Sequence, residues 1–104
     1  METRRTLILP DAFEWDEKKR EINIDKHRID FAEAIEVFKD VDVFIASSHQ
    51  LGEERRYIAI GVMKTTTITV VFTIRDETIR IISSRAARRN ERAMYEQSKK
   101  ESER

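Results

Sequence analysis

The stretch RYIAIGVMKTTTITVVFTIRDETIRIISS, residues 56–84, decides the fold class. Its apolar residues alternate with polar ones or form β-branched blocks, and short polar segments interrupt it at residues 64–66 and 75–77. Alternation with a period of two is typical of half-buried strands, and connections this short join antiparallel neighbours. Together with a further β-rich run at residues 43–47, the pattern predicts a four-stranded antiparallel meander.

A helix is predicted immediately before this sheet. Asp30 is a suitable N-cap, and Glu33 three residues later completes the sequence of a capping box. Apolar residues then recur at helical spacing, as Phe31, Ala34, Ile35 and Phe38. In the third strand of the predicted sheet one face consists of Ile68, Val70, Phe72 and Ile74. We expect this face to pack against the stripe that contains Phe31 and Phe38.

The remaining segments complete an α+β architecture. Residues 12–15 predict a short strand, and Asp16 caps a charged helix that runs to about Lys26 with Ile22 as its main apolar anchor. A last helix is predicted from Arg85 to about Lys99, with Ala86, Ala87, Ala93 and Met94 as a thin apolar seam. We therefore predict two N-terminal helices, a four-stranded antiparallel meander and a C-terminal helix. Residues 1–11 form an arm, residues 12–99 the domain, and residues 100–104 a frayed tail.

Length and composition restrict the class of protein. A chain of 104 residues is one domain by size. It has no cysteine, which excludes disulfides and thiolate metal sites and is typical of a reducing compartment. No apolar run approaches the ~20 residues of a membrane span, and the first residues lack the apolar core of a signal peptide. We therefore predict a cytoplasmic protein without a membrane partner.

The net charge is zero, but the acidic and basic residues are segregated. Residues 14–40 hold nine acidic and six basic side chains, whereas residues 75–92 hold six arginines against three acidic side chains. These arginines are Arg75, Arg80, Arg85, Arg88, Arg89 and Arg92. Guanidinium groups suit bidentate phosphate contacts, so the segment predicts an RNA-binding surface, with the last four arginines on one helical face. The alternative is a solvated helix whose arginines pair with Glu91 and Glu96.

Two side chains offer proton transfer. His27, which follows Lys26 at the predicted end of the first helix, can accept and donate a proton near neutral pH. The alternative is a helix-ending cation that faces the helix dipole. Tyr95 can donate a proton or pin the last helix to the sheet. Because His27 and His49 are not at metal-ligand spacing and no phosphate-binding glycine loop is present, we expect no metal and no cofactor. A nuclease built from these groups would use the 2′-hydroxyl of RNA as its nucleophile.

Several short motifs along residues 13–96 together resemble the BrnT family of ribonuclease toxins. They are Phe13-Glu14-Trp15-Asp16, Asn23 with Lys26-His27, Phe31, Glu33-Ala34 with Val37-Phe38, Gly52-Glu53, Arg56, Ile60-Gly61, Val70-Val71-Phe72-Thr73 with Arg75, and Ile79-Arg80-Ile81-Ile82-Ser83 with Arg85, Ala87, Glu91 and Tyr95. The resemblance implies a RelE-like α+β fold and a bacterial endoribonuclease toxin that inhibits translation. Arg28 departs from the family pattern, because a helix-ending glycine is usual there. It must take a positive φ at a cost, or the helix must end differently.

The resemblance also implies residue roles and partners. Phosphate and transition-state binding is expected of Arg56, Arg75, Arg80 and Arg85, charge or proton donation of Lys26 and His27 with assistance from Tyr95, and RNA binding of Arg88, Arg89 and Arg92. The implied partner is a BrnA-like antitoxin with a ribbon-helix-helix part. Because that antitoxin is dimeric, a heterotetramer with two copies of each chain is expected, and promoter DNA is contacted through the antitoxin alone.

Two other functions fit the residues taken alone. The first is a catalytically inactive toxin-like module that acts only as a transcriptional co-regulator with its antitoxin. The second is a small DNA-binding domain that uses the arginine-rich helix. The second hypothesis is the weaker one, because the sequence offers no partner helix arranged as in a helix-turn-helix.

Overall fold

The computed structural model describes residues 9–52 and 54–103. Its elements are β1 (Phe13–Trp15), α1 (Glu17–His27), α2 (Phe31–Ala34) followed by a 3₁₀ turn (Ile35–Lys39), β2 (Phe44–Leu51), β3 (Glu54–Met63), β4 (Thr66–Arg75), β5 (Thr78–Ala86) and α3 (Arg89–Ser102). The class is α+β, as predicted. None of these helices has the length and apolar character needed to cross a bilayer. Most of the predicted arm, residues 1–8, lies outside the described residues.

The sheet differs from the predicted one in the number and direction of its strands. It has five strands in the order β1-β5-β4-β3-β2, and β1 runs parallel to β5 while the other neighbours are antiparallel. The prediction of a four-stranded antiparallel sheet was therefore wrong. Strand β1 has only three residues, and it joins the far edge of the sheet, where the N–H of Ile79 donates to the Ala12 carbonyl oxygen at 2.8 Å. Nothing in so short a run specifies a partner strand.

One face of the sheet, here called the core face, packs against α2 and the 3₁₀ turn. Ile68, Val70 and Phe72 of β4 lie in one buried cluster with Phe31. The rings of Phe38 and Phe72 meet edge to face, with centroids 5.1 Å apart. These contacts confirm that β4 and the Phe31/Phe38 stripe pack together, although Ile74 at the strand end is 37% exposed.

Both N-terminal helices depart from their predicted form. Instead of an amphipathic helix of two turns, α2 is a single turn whose backbone tightens into the 3₁₀ turn after Ala34. In this conformation Val37 lies so close to β3 that a Cβ added to Gly61 would stand 3.1 Å from Val37 Cγ1. In α1 the predicted anchor Ile22 is 56% exposed, and the buried residue is its neighbour Asn23. Because Asn23 is polar, the helical spacing of apolar residues in the sequence does not reveal it as the anchor.

Capping explains where these helices begin and end. Asp16 accepts hydrogen bonds from two backbone N–H groups at the start of α1, and Asp30 accepts one at the start of α2. Arg28 ends α1 in the left-handed region with φ 61°, and its N–H donates to the Ile24 carbonyl oxygen at 2.8 Å. The departure at Arg28 is thus resolved by a positive φ in a non-glycine residue, which costs about 1 kcal/mol.

Two polar side chains, the buried Asn23 and the half-buried Asp40, satisfy strand edges that lack a neighbouring strand. Beyond β1, the edge of β5 is covered by Asn23, whose Oδ1 accepts from the Ser84 N–H at 3.1 Å and whose Nδ2 donates to the Ser84 carbonyl oxygen at 2.9 Å. On the edge of β3, Asp40 Oδ2 accepts from the Val62 N–H at 2.9 Å. Each side chain replaces a missing strand, as buried backbone groups require.

The opposite face of the sheet, here called the α3 face, packs against α3 through Ile60, Ala87 and Tyr95. Strand β5 continues to Ala86 and α3 begins only at Arg89, so the predicted helix start at Arg85 was wrong. The predicted single helical face of four arginines is therefore absent, because Arg85 belongs to the strand. Alanine favours a helix, but here the pairing of Ala86 with Ile68 of β4 outweighs that propensity.

Candidate functional site

The four predicted site arginines lie on the α3 face of the sheet, one on β3, one on β4 and two on β5. In β3 the residues that alternate with the core positions are Arg56, Ile58 and Ile60, and in β5 both Arg80 and Arg85 lie on this face. Positions five apart normally face opposite sides of a strand. Here Val71 pairs with Ser83 while Phe72 pairs with Ile81, so Ile82 is an extra bulged residue. The bulge returns Arg85 to the side of Arg80.

Arg56 and Arg80 lie in one row across the sheet. Arg80 pairs with Thr73, and because Tyr57 pairs with Phe72, Arg56 lies opposite Thr73 on the other side of β4. We call Arg56, Thr73 and Arg80 the arginine row. Neighbouring strands are about 4.8 Å apart, so the two arginine backbones are roughly 10 Å apart and their side chains leave the same face. That separation allows two guanidinium groups to reach one phosphate from opposite sides.

Arg56 carries a positive charge for which the described residues offer no partner. Its Nε is buried and has no hydrogen-bond acceptor among residues 9–52 and 54–103. Buried polar groups are almost always hydrogen-bonded, and an exception calls for an explanation such as an absent ligand. Arg56 is therefore the candidate anion-binding group of the row.

Arg80 has a loosely held partner. Its Nη1 lies 3.3 Å from Glu14 Oε2, and Glu14 pairs with Arg80 in the parallel β1–β5 register. The two side chains are 28% and 42% exposed. A single contact at this exposure stabilises the fold little, so an incoming phosphate can compete for the guanidinium.

Arg75 lies at the end of β4 on the same face, two residues and about 7 Å from Thr73. Its Nη2 donates to Glu54 Oε2 at 3.2 Å, and both side chains are accessible. The two line an open depression of about 460 Å³ at this end of the sheet, together with Arg55, Tyr57, Thr73 and Ile74. Arg75 thus adjoins the arginine row, and its charge is balanced by one partly exposed carboxylate.

Arg85 is held firmly by a buried carboxylate. Its Nη1 and Nη2 donate to the two oxygens of Glu91 at 2.8 and 2.9 Å, and the side chains are only 18% and 8% exposed. Glu91 also accepts from the Arg88 N–H at 2.8 Å and from Thr69 Oγ1 at 2.9 Å. The Arg85 hydrogen bonds, which outweigh burial, lower the pKa of Glu91 to about 2. This arrangement fastens the start of α3 to the sheet and neutralises Arg85.

Tyr95 is likewise engaged within the fold. It is 2% exposed, and its hydroxyl donates to Asp40 Oδ2 at 2.7 Å. Burial, and then the adjacent carboxylate, raise the pKa of Tyr95 above its ordinary value. Burial opposes ionisation of Asp40, but hydrogen bonds from Tyr95 and two backbone N–H groups outweigh it and lower the pKa of Asp40. Tyr95 therefore pins α3 to the edge of β3, which was one of the two predicted roles.

Lys26 and His27 end α1, which lies along the edge of β5 through Asn23. Lys26 is exposed and His27 is half-buried. Within the described part of the chain neither side chain forms an ion pair or hydrogen bond with an arginine of the site. The structure thus gives no contact that joins them to the arginine row, and a proton-transfer role for His27 stays a prediction.

The three arginines predicted to bind RNA surround the start of α3. Arg88 is its N-cap residue and Arg89 its first residue, and both are exposed. The Nη1 of Arg92 donates to the Ala87 carbonyl oxygen at 2.8 Å. Together with the positive, N-terminal end of the α3 dipole, these three arginines form a second positive surface. It lies at the start of α3, whereas the arginine row lies on the strands.

Sequence reasoning did not identify the polar residues that hold these groups in place, although it named Glu91 as an alternative partner for the arginines, which Glu91 is for Arg85. Asn23, Asp40 and Glu91 each lie in a charged or polar segment where solvent exposure is the ordinary expectation. Glu91 offered one signal, because a glutamate three residues after a helix start is typical of a capping interaction. Asn23 offered none beyond its place in the family pattern.

Comparison with known protein families agrees with the resemblance. The family model described as the ribonuclease toxin, BrnT, of a type II toxin–antitoxin system matches residues 15–91. The matched segment includes the whole arginine row and ends at Glu91. No curated protein matches the chain significantly.

Proposed function

The chain belongs to the BrnT family of ribonuclease toxins of type II toxin–antitoxin systems, and from that premise we propose that it is a metal-independent endoribonuclease that binds the scissile phosphate at the arginine row. The family supports a ribonuclease toxin with an antitoxin partner. The proposal adds the place of the site, the class of mechanism and the nature of the partner.

The observation that carries this proposal is the buried Nε of Arg56, which has no hydrogen-bond acceptor among the described residues. The half-buried Arg56 therefore favours an anionic ligand, because a buried polar group costs free energy unless it is hydrogen-bonded. Arg80 on the same row supplies a second cation once its contact with Glu14 opens. Two cations that converge on a phosphodiester also stabilise the additional negative charge that develops at phosphorus in the transition state.

The cleavage we propose uses the substrate's own nucleophile. The 2′-oxygen loses its proton to a base and attacks the adjacent phosphorus. The O2′–P bond forms, the P–O5′ bond breaks, and the leaving 5′-oxygen takes up a proton from a donor or from water. The products are a 2′,3′-cyclic phosphate and a 5′-hydroxyl. DNA lacks the 2′-hydroxyl, so it binds without being cut. Cleavage of messenger RNA by this route would inhibit translation.

We further propose that the antitoxin covers the arginine row with an acidic segment. Such a segment competes directly with RNA for Arg56 and Arg80, which accounts for neutralisation without any change of fold. A ribbon-helix-helix part of a BrnA-like antitoxin would carry the promoter contacts, and its dimer would give two copies of each chain.

Growth arrest tests this function in cells. Induction of the chain alone should stop growth and bulk translation and leave RNA ends with 2′,3′-cyclic phosphates. Arg80→Ala should relieve the arrest, since loss of one transition-state cation costs about 10²–10³ in rate. Arg55→Ala is the matched control, because it removes the same charge from the opposite face of β3. Equal toxicity of Arg80→Ala and wild type would contradict the assignment.

A catalytically inactive co-regulator remains the second candidate, and one observation favours it. Three of the predicted cations already have carboxylate partners, namely Arg75 with Glu54, Arg80 with Glu14 and Arg85 with Glu91. A module of this kind would bind its antitoxin and leave growth unchanged when induced alone. The induction experiment therefore separates the two functions.

A further inference from the structure

The arginine row continues into a carboxylate whose position suits a general base. Glu14 lies beside Arg80 in the β1–β5 register, so Glu14, Arg80, Thr73 and Arg56 succeed one another across four strands. The Glu14 side chain is 42% exposed, which leaves it accessible to a ligand on the α3 face. A phosphate held between Arg80 and Arg56 would place the adjacent ribose within reach of the row's outer end.

The contact between Glu14 and Arg80 differs in kind from the buried pair of Arg85 and Glu91. The first is a single approach of 3.3 Å between accessible side chains. The second has two hydrogen bonds of 2.8 and 2.9 Å and two further donors to Glu91. A carboxylate with four donors is not available to accept a proton, whereas one with a single loose contact is. Within the described residues, Arg80 is the one charged group that contacts Glu14.

On these grounds, and resting on the proposed function, we propose that Glu14 is the general base that activates the 2′-hydroxyl. The RNA phosphate takes the place of Glu14 at Arg80 and so releases the carboxylate. Glu14 then accepts the proton of the 2′-hydroxyl as the O2′–P bond forms and the P–O5′ bond breaks. A water molecule gives a proton to the leaving 5′-oxygen, and the hydroxide that results takes the proton from Glu14, which returns to its carboxylate form.

Glutamine and aspartate at position 14 test this role. Glu14→Gln keeps the shape of the side chain but removes the base, and single-turnover cleavage of a labelled RNA transcript should fall about 10²–10⁴-fold. Glu14→Asp should recover part of the rate. The rate of the wild type should decrease toward low pH as a carboxylate becomes protonated, and this acidic limb should be absent from the residual rate of Glu14→Gln.

Binding separates a base from a structural residue. Glu14→Gln should bind an uncleavable RNA with a 2′-deoxy substitution at least as tightly as wild type, because Arg80 has lost its competitor. A merely structural residue would weaken binding and cleavage together. Glu33→Gln is the matched control, because Glu33 contacts Lys64 at the same 3.3 Å, is 46% exposed, and lies on the other side of the sheet. It should cleave at the wild-type rate.

A large loss of rate with intact binding and no acidic limb supports Glu14 as the base. Cleavage by Glu14→Gln within threefold of wild type, or a persistent acidic limb, would overturn this role and leave the nuclease itself standing. Absence of cleavage by the wild-type chain would overturn the proposed function as well, and the two failures are thereby distinguished.

Discussion

The arginines that the sequence predicts to bind phosphate differ in the contacts that their guanidinium groups make. Arg85 is bound at both ends of its guanidinium by Glu91, Arg80 touches Glu14 once, and Arg56 has a buried Nε without an acceptor in the described chain. Sequence reasoning found these residues because guanidinium groups suit phosphate. It could not rank them, because the partner of each is distant in sequence or set by a bulge. The unpartnered arginine is the one best suited to bind an anion.

A single substitution at Tyr95 tests whether this residue stabilises the fold or contacts the substrate. Tyr95→Phe removes the donor to Asp40 Oδ2, and we expect a loss of about 1–3 kcal/mol in the free energy of unfolding, measured by urea denaturation. Because the hydroxyl is buried against Asp40, cleavage by the folded fraction should stay within a few-fold of wild type. Loss of activity with unchanged stability would instead indicate that Tyr95 contacts the substrate.

At the scale of elements, polar side chains hold the secondary structure where apolar patterns do not. The strands of the meander and the packing of β4 on Phe31 and Phe38 were predictable, since alternation reports a buried face. The parallel partner of β1 and the polar anchor Asn23 were not, because a three-residue strand and a single buried amide leave no periodic signal. The start of α3 was misplaced for a related reason, as its attachment depends on the buried Glu91.

The ion pair that attaches α3 should make stability depend on pH. The pKa of Glu91 is lowered from 4.5 to about 2 in the folded chain, so its contribution is complete above pH 4.5 and is lost as the pH falls toward 2. We expect Glu91→Gln to cost about 3 kcal/mol at neutral pH, because Arg85 then stays buried without a counter-charge. The difference in urea-unfolding free energy between wild type and variant should shrink below pH 4.5.

Comparison with the variant is needed because other carboxylates contribute to the same pH range. The pKa values of Asp30 and Asp40 are also lowered, the first mainly by Arg20 and the second by hydrogen bonds that outweigh burial. Both remain in Glu91→Gln, so their effects cancel in the difference. A difference that stays constant from pH 6 to pH 3 would show that Glu91 does not contribute as an ionised partner.

At the scale of the whole molecule, the chain has no net charge, but its fold concentrates positive charge by placing arginines from separate strands on the α3 face of the sheet. Net charge and length did not indicate a polyanion site. The segregated arginines predicted one, but not which of them lie together. The fold supplies what composition lacked: the row register brings Arg56 and Arg80 together, and the bulge at Ile82 turns Arg85 toward α3. An antitoxin that covers this face would block the site by occupying it.

The most direct test that the arginine row holds the scissile phosphate is the rate of RNA cleavage by purified Arg56→Ala. With EDTA present, wild type and Arg55→Ala should cut a labelled RNA transcript at similar rates. Arg56→Ala should be about 10²–10³-fold slower while its unfolding free energy changes little, because the charge removed has no partner in the described fold. Equal rates for Arg56→Ala and Arg55→Ala would contradict the claim that the arginine row holds the scissile phosphate.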